Sequence, residues 1–113
     1  IAQSQTQDSM ILCVPNNGAI KELKDTDVIE VTCDITENGA VPHKFDNLDE
    51  QNIELIRRVK IYERLASKAI REKSIQCAVE ALTLHPLVNS YSLAKKLVSE
   101  YLELNKKYTG DWK

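Results

Sequence analysis

Aromatic side chains are scarce in this sequence: one Phe, one Trp and four Tyr make up 5% of 113 residues. A core must therefore be built mainly from aliphatic and small side chains, without the large area that aromatic rings supply. Basic charge is not in excess either. Fifteen Lys and Arg stand against seventeen Asp and Glu, for a net charge of −2, and the two signs are interspersed. That leaves no basic stripe for a nucleic-acid backbone and no polybasic segment for an anionic membrane. No apolar run approaches the roughly 18 residues of a membrane span. The stretch IAQSQTQDSM lacks the basic and apolar regions of a signal peptide, so the expected location is cytoplasmic. The three cysteines, Cys13, Cys33 and Cys77, are odd in number and lie in apolar runs. They read as small core residues of a reducing compartment. With three glycines in all and no Gly-x-Gly-x-x-Gly run, a dinucleotide-binding loop is excluded.

With 42% hydrophobic and 28% charged residues, the composition is that of one soluble globular unit covering residues 1–113. The chain begins with Ile rather than Met, which reads as processing or as a piece of something longer. Ile1 to Gln7 is polar and aperiodic, either a frayed end or the last turn of a helix. Met10 to Val14 is a short apolar run closed by Pro15, and is expected to be a strand buried on both faces. In the segment DVIEVTCDIT, residues Ile29, Val31, Cys33 and Ile35 alternate with Glu30, Thr32 and Asp34, the period of a half-buried strand. Val28 breaks the alternation. Asn38-Gly39 should then reverse the chain, after which Val41 to Asp46 looks extended. The connection between the two strands is long, and Pro15-Asn16-Asn17-Gly18 opens it with strong turn chemistry.

The second half is helical in period. Asn47 with Glu50 resembles a capping box. Beyond it, Ile56, Val59, Tyr62, Leu65, Ala66, Ala69 and Ile70 form a stripe that Ile53, Leu55 and Ile61 widen, and this stripe is expected to be buried. The adjacent charges Glu54, Arg57 and Arg58 mark its solvated side. Ser74 caps a second helix, Ile75 to Leu84, which His85-Pro86 ends because a residue before proline is driven out of the helical region. A third helix runs from about Ser90 to Lys106, with Leu93, Ala94, Leu97, Val98, Tyr101, Leu102 and Leu104 on its apolar face and a Glu103–Lys107 pair near its end. Gly110 reads as a stop, and Trp112 as a side chain that a packed or exchanged tail could bury. The fold class is therefore α+β, two short strands with a long loop plus three helices.

Chemistry-bearing spacings are missing. A metal needs several converging ligands and a nucleophile needs a neighbouring base. No Cys-x-x-Cys or His-x-x-x-His spacing joins Cys13, Cys33, His43, Cys77 and His85. His85 reads as a helix-end residue, while His43, in a loop after Pro42, keeps a possible binding role. The pairs Asp25–Asp27 and Asp49–Glu50 lie in polar surroundings and read as solvated. No catalytic, cofactor-binding or metal-ligating residue is assigned.

Several stretches nevertheless resemble, in order and separation, the carboxy-terminal part of family 4 glycoside hydrolases, and among them most the 6-phospho-β-glucosidases. They are Val14-Pro15-Asn16-Asn17-Gly18-Ala19-Ile20, the strand Val28 to Cys33, the Gly39 turn with Pro42, Tyr62-Glu63, and Ala81-Leu82 to His85-Pro86-Leu87-Val88. The resemblance covers the chain from about Met10 to Tyr108. It implies part of a carboxy-terminal domain similar to that of the lactate and malate dehydrogenases, in an enzyme whose other domain binds NAD. It further implies an NAD- and Mn2+-dependent oxidation, elimination and addition acting on a phosphorylated disaccharide or aryl glucoside.

The nucleotide loop, metal ligands and catalytic tyrosine of that family have no counterpart on these residues, so the piece itself is expected to be inert. Asn16, Asn17 and Gly18 match a family loop that turn geometry explains. A 6-phospho-α-glucosidase or another family member is the alternative, and a free-standing helical interaction module is the alternative from a different class. Uncovered apolar surface around Met10 to Val14 and on one helix face is expected to drive homo-oligomer formation.

Overall fold

The computed structural model describes residues 8–113; the expectation for Ile1 to Gln7 lies outside the described residues. Its elements are β1 (Ser9–Pro15), β2 (Val28–Thr36), β3 (Gly39–Pro42), α1 (Glu50–Glu72), α2 (Ile75–Leu84) and α3 (Tyr91–Thr109). The sequence reads as a single unit over 1–113, but contacts divide the chain at Glu50 and Gln51 into a sheet unit and a helical unit.

In the sheet unit the strands lie in the order β1-β2-β3, all antiparallel. The alternation in β2 does what its period dictates. Ile29, Val31 and Cys33 are buried, whereas Val28 is 52% exposed on the other face. The register places Met10 opposite Cys33, Leu12 opposite Val31 and Val14 opposite Ile29, so these β1 residues share one face, on which Leu12 and Val14 are half-buried and Met10 is 44% exposed. Ile11 pairs with Thr32 and Cys13 with Glu30 on the open face. Met10 to Val14 is thus not buried on both faces: Ile11 is 68% exposed and Cys13 is exposed. The physical reason is that β1 is an edge strand with cover on one side only.

The chain reverses one residue earlier than Asn38-Gly39. Thr36 pairs with Gly39, leaving Glu37 and Asn38 in the loop, and Gly39 opens β3 with φ +110. Thr36 Oγ1 accepts from Asn38 N–H at 3.2 Å and donates to Gly39 O at 2.9 Å, which closes the hairpin. The four residues of β3 form a strand where the sequence showed only an extended stretch.

In the helical unit, α1 starts at Glu50 rather than at Asn47, so Asn47 and Glu50 cannot form the expected capping box. Its apolar stripe is only partly covered. Ala69 is the one buried residue of α1, while Leu55, Ile61 and Ile70 are 52%, 40% and 66% exposed. Length explains this: 23 residues span about 34 Å, whereas the 10 residues of α2 span about 15 Å and cannot cover them.

The caps of α2 and α3 follow the sequence. Ser74 Oγ accepts from Cys77 N–H and Ser90 Oγ from Leu93 N–H, both at 3.3 Å. His85 ends α2, and Gly110, at φ +70, ends α3 by donating to Lys106 O. α3 runs one turn past the expected Lys106, to Thr109. Val79 of α2 with Ala94 and Val98 of α3 forms the packed centre, flanked by Ala78, Leu82, Val88 and Leu102. Small residues at this centre let the two helices approach closely. No described helix is long and apolar enough to cross a membrane.

Candidate functional site

The connection between β1 and β2 is held by a single side chain. Asn16 has no exposed surface, which is unusual for asparagine. Its Oδ1 accepts from Ile20 N–H at 2.8 Å, and its Nδ2 donates to Ile20 O at 2.9 Å and to Leu23 O at 3.5 Å. Its backbone N–H donates to Asp27 O and its carbonyl accepts from Ala19 N–H, both at 2.8 Å. Asn17 and Gly18 then turn the chain at φ +43 and +79. Asp27, expected to be solvated beside Asp25, is instead 6% exposed, with Oδ2 accepting from Lys24 N–H at 3.1 Å. Burial of these polar groups is tolerable because each is satisfied inside the loop. The bonds of the Asn16 side chain are all internal, so it is an organiser of the loop and not a ligand. Sequence reasoning saw a turn here and missed the latch.

On the sheet, the His43 backbone N–H extends the β3 pairing by donating to Thr32 O at 2.9 Å, and His43 Nε2 lies 2.9 Å from Asp34 Oδ1. Both side chains of this carboxylate–imidazole pair remain partly open to solvent. A base held this way would still need a substrate-lined cleft to act.

In the helical unit, His85 and Tyr62 meet edge to face with ring centroids 4.6 Å apart. His85 Nδ1 accepts from Leu87 N–H at 3.2 Å, fixing the turn into Pro86. Arg58, expected on the solvated side, reaches instead to the end of α2: its Nε donates to Leu84 O at 2.9 Å and its guanidinium to Asn89 Oδ1. It supplies the donor that an unsatisfied helix-terminal carbonyl requires. His85 is therefore a helix-end residue, as its position before proline suggests.

The tail folds back on the α1–α2 turn, where Lys113 N–H donates to Lys73 O and Lys113 O accepts from Ile75 N–H. Trp112, half-buried, lines an apolar recess of about 130 Å³ together with Tyr62, Ala66, Ala69, Ala78, Ala81 and Leu82. Its Nε1 is buried with no hydrogen-bond partner among the described residues. Lys106 pairs with Asp111 at 3.1 Å. The hydrogen bond and charge of Asp111, helped by Glu103, raise the Lys106 amine above the ordinary lysine value. Lys107 stands over the Tyr108 ring at 5.7 Å.

Among the described residues no group of three or more His, Cys, Asp or Glu could hold a metal ion. Cys13 is exposed, contrary to its expected core position, because it lies on the open face of an edge strand. Cys33 is buried, with Sγ 3.4 Å from Val31 O, and Cys77 is half-buried in α2. Asp49 and Glu50 are exposed.

Comparison with known proteins supplies what the chain's own chemistry does not. Residues 2–88 match the family 4 glycosyl hydrolase C-terminal domain. Over 93 residues, 82% of this chain, 37% are identical to a probable 6-phospho-beta-glucosidase of Bacillus subtilis (strain 168), covering 21% of that protein. Maltose-6'-phosphate glucosidase MalH of Clostridium acetobutylicum is 34% identical over 91% of this chain and 23% of its own length. Among solved structures, a 6-phospho-alpha-glucosidase from gut microorganisms, in complex with NAD and glucose-6-phosphate, superposes with a TM-score of 0.85 at 31% identity. It covers 95% of this chain and 24% of its own. The 6-phospho-beta glucosidase of Thermotoga maritima with manganese, NAD+ and glucose-6-phosphate gives a TM-score of 0.81 at 32% identity, over 95% of this chain and 27% of its own. The chain thus spans about a quarter of the length of the relatives it matches. On the family match and the agreement of fold, this chain belongs to family 4 of the glycosyl hydrolases, within the C-terminal domain.

Proposed function

We propose that this chain is a scaffold segment of a longer 6-phosphoglucosidase that hydrolyses phosphorylated β-glucosides using NAD and Mn2+. The observation that carries the reading is the match to the family domain over residues 2–88. The β-glucoside preference is supported by identities of 37% and 36% to two relatives named as 6-phospho-beta-glucosidases. A 6-phospho-α-glucosidase is the second reading, favoured by alignments to relatives named as phospho-alpha-glucosidases that run over 91–96% of the chain. NAD and Mn2+ come to this reading from solved neighbours that hold them.

The described residues fit neither group. They gather no three-ligand cluster, and the Asn16 loop carries a single glycine and spends its polar atoms on itself. The part assigned to this chain is architectural: the latched loop, the covered sheet face and the α2–α3 pair hold shape for a site built elsewhere in the longer protein.

The test is an exchange. The chain should replace the matching segment of the Bacillus subtilis relative and leave cleavage of a chromogenic 6-phospho-β-glucoside, dependent on NAD and manganese. The same chimera should turn over a 6-phospho-α-glucoside more slowly. The isolated 113-residue chain should neither bind NAD nor cleave either substrate; turnover by it would overturn the proposed division of labour.

A further inference from the structure

We propose that the apolar recess between α1 and α2 is a binding site for a small aromatic molecule that carries one hydrogen-bond acceptor, phenol being the simplest. Alanine makes the room. Ala66 and Ala69 stand three residues apart on α1, as do Ala78 and Ala81 on α2, so each pair shares one face of its helix. Four methyl groups leave a slot where larger side chains would have closed the packing. Ala69 and Ala81 are each 2% exposed, so the slot reaches well below the surface.

Size is the first argument for the occupant. The recess measures about 130 Å³. An apolar cavity of about 150 Å³ takes up benzene, so a single six-membered ring is the scale of guest that fits. No charged side chain lines the recess, and water is held poorly where polar partners are few. The larger hollow between α3 and the tail, about 340 Å³, is less selective, because charged side chains of both signs line it and Lys106 there is already paired with Asp111.

Complementarity is the second argument, and it sets the chemical class. Two aromatic rings, Tyr62 and Trp112, line the recess, and Tyr62 is held in place by its edge-to-face contact with His85. A third ring can meet such neighbours at favourable angles, which an aliphatic guest cannot do. Trp112 narrows the choice further. Its Nε1 is a buried donor with no partner among the described residues, and a buried donor left unpaired is costly. An oxygen on the guest supplies the missing acceptor, whereas benzene and toluene offer none. Trp112 also belongs to a short tail, held by the backbone bonds of Lys113 to Lys73 and Ile75 and by the Lys106–Asp111 pair. So small a set of bonds lets the indole adjust as the guest enters.

Titration of the 113-residue chain with phenol and with toluene, followed through isotope-labelled alanine methyl groups in NMR, is the test. Both should give saturable shifts at millimolar concentration, confined to Ala66, Ala69, Ala78 and Ala81. Phenol should also quench the emission of Trp112, the sole tryptophan. Ala66→Leu fills the recess from a half-buried position and should weaken phenol binding by about tenfold or more, with helical circular dichroism unchanged. Trp112→Phe keeps a ring and removes the donor, so the ratio of phenol to toluene affinity should fall about tenfold. Ile11→Thr, in the sheet unit, should change nothing. Shifts that do not saturate, or that spread evenly over alanines outside the recess, would overturn the proposal. So would undiminished phenol binding by a folded Ala66→Leu chain, or a phenol-to-toluene ratio that Trp112→Phe leaves as it was.

Discussion

Replacing Asn16 by Ala should be among the most damaging single changes in the sheet unit. The substitution removes the acceptor for Ile20 N–H and the donor for Ile20 O, bonds of 2.8 and 2.9 Å at a residue that is 8% exposed. Leaving a buried backbone donor or acceptor unpaired costs about 1–3 kcal/mol each, so partial relaxation with water entry puts the total at about 2–4 kcal/mol. The bond to Leu23 O, at 3.5 Å, adds little.

Asn16→Asp separates the two halves of the latch. Its carboxylate can still accept from Ile20 N–H, but its other oxygen would face the Ile20 and Leu23 carbonyls. Those carbonyls favour the protonated form and raise the folded-state pKa of the introduced carboxyl above its value of about 3.9 in the unfolded chain. The stabilisation from protonation is then fully present below the unfolded value and lost as pH rises through the folded one. The variant should therefore be weak at neutral pH and recover on acidification.

Urea denaturation followed through the β2 amide signals in NMR, together with hydrogen exchange at Ile20, gives the measurement. An Asn16→Ala midpoint within about 0.5 kcal/mol of wild type, with Ile20 still protected, would refute the latch.

Trp112→Phe should be nearly neutral, because the buried Nε1 has no partner to lose, while Trp112→Ala should cost about 2 kcal/mol from lost packing in the recess; urea midpoints of the helical unit check both. His85→Asn should cost about 1 kcal/mol, since asparagine can still accept from Leu87 N–H and only the edge contact with Tyr62 is lost. Arg58→Ala should lower stability by about 1 kcal/mol and raise exchange at Asn89, whose N–H closes the turn onto His85 O.

Features whose cause is local could be read from the residues. The alternation in β2, the serine caps of α2 and α3 and the glycine stop after α3 each depend on a few neighbours, and each stands where the sequence put it. β3 was less legible, since four residues are too few to show a period. The exposure of Ile11 and Ile70 depends on what covers an edge strand or a long helix, which no local pattern reports. The two side chains with the largest structural duties, Asn16 and Arg58, belong to types that normally face water, and Arg58 acts on a carbonyl 26 residues away. The family was legible through the resemblance of spaced stretches such as Val14 to Ile20 and Ala81 to Val88, which no single local pattern would have carried.

The strand order β1-β2-β3 is also the order of synthesis, and that has a kinetic consequence. Every pairing in the sheet joins consecutive strands, and the close packing of α2 on α3 joins consecutive helices. No strand has to wait for a partner beyond its neighbour in the chain, and pairing between neighbours favours rapid folding. Within the sheet, closure of the loop over residues 16–27, a search over about a dozen residues, takes well under a microsecond, and hairpin formation takes microseconds. A ribosome adds about 5–20 residues per second. Each hairpin and helix pair thus has ample time to form as soon as its own residues have emerged, so the segment can assemble stepwise during translation.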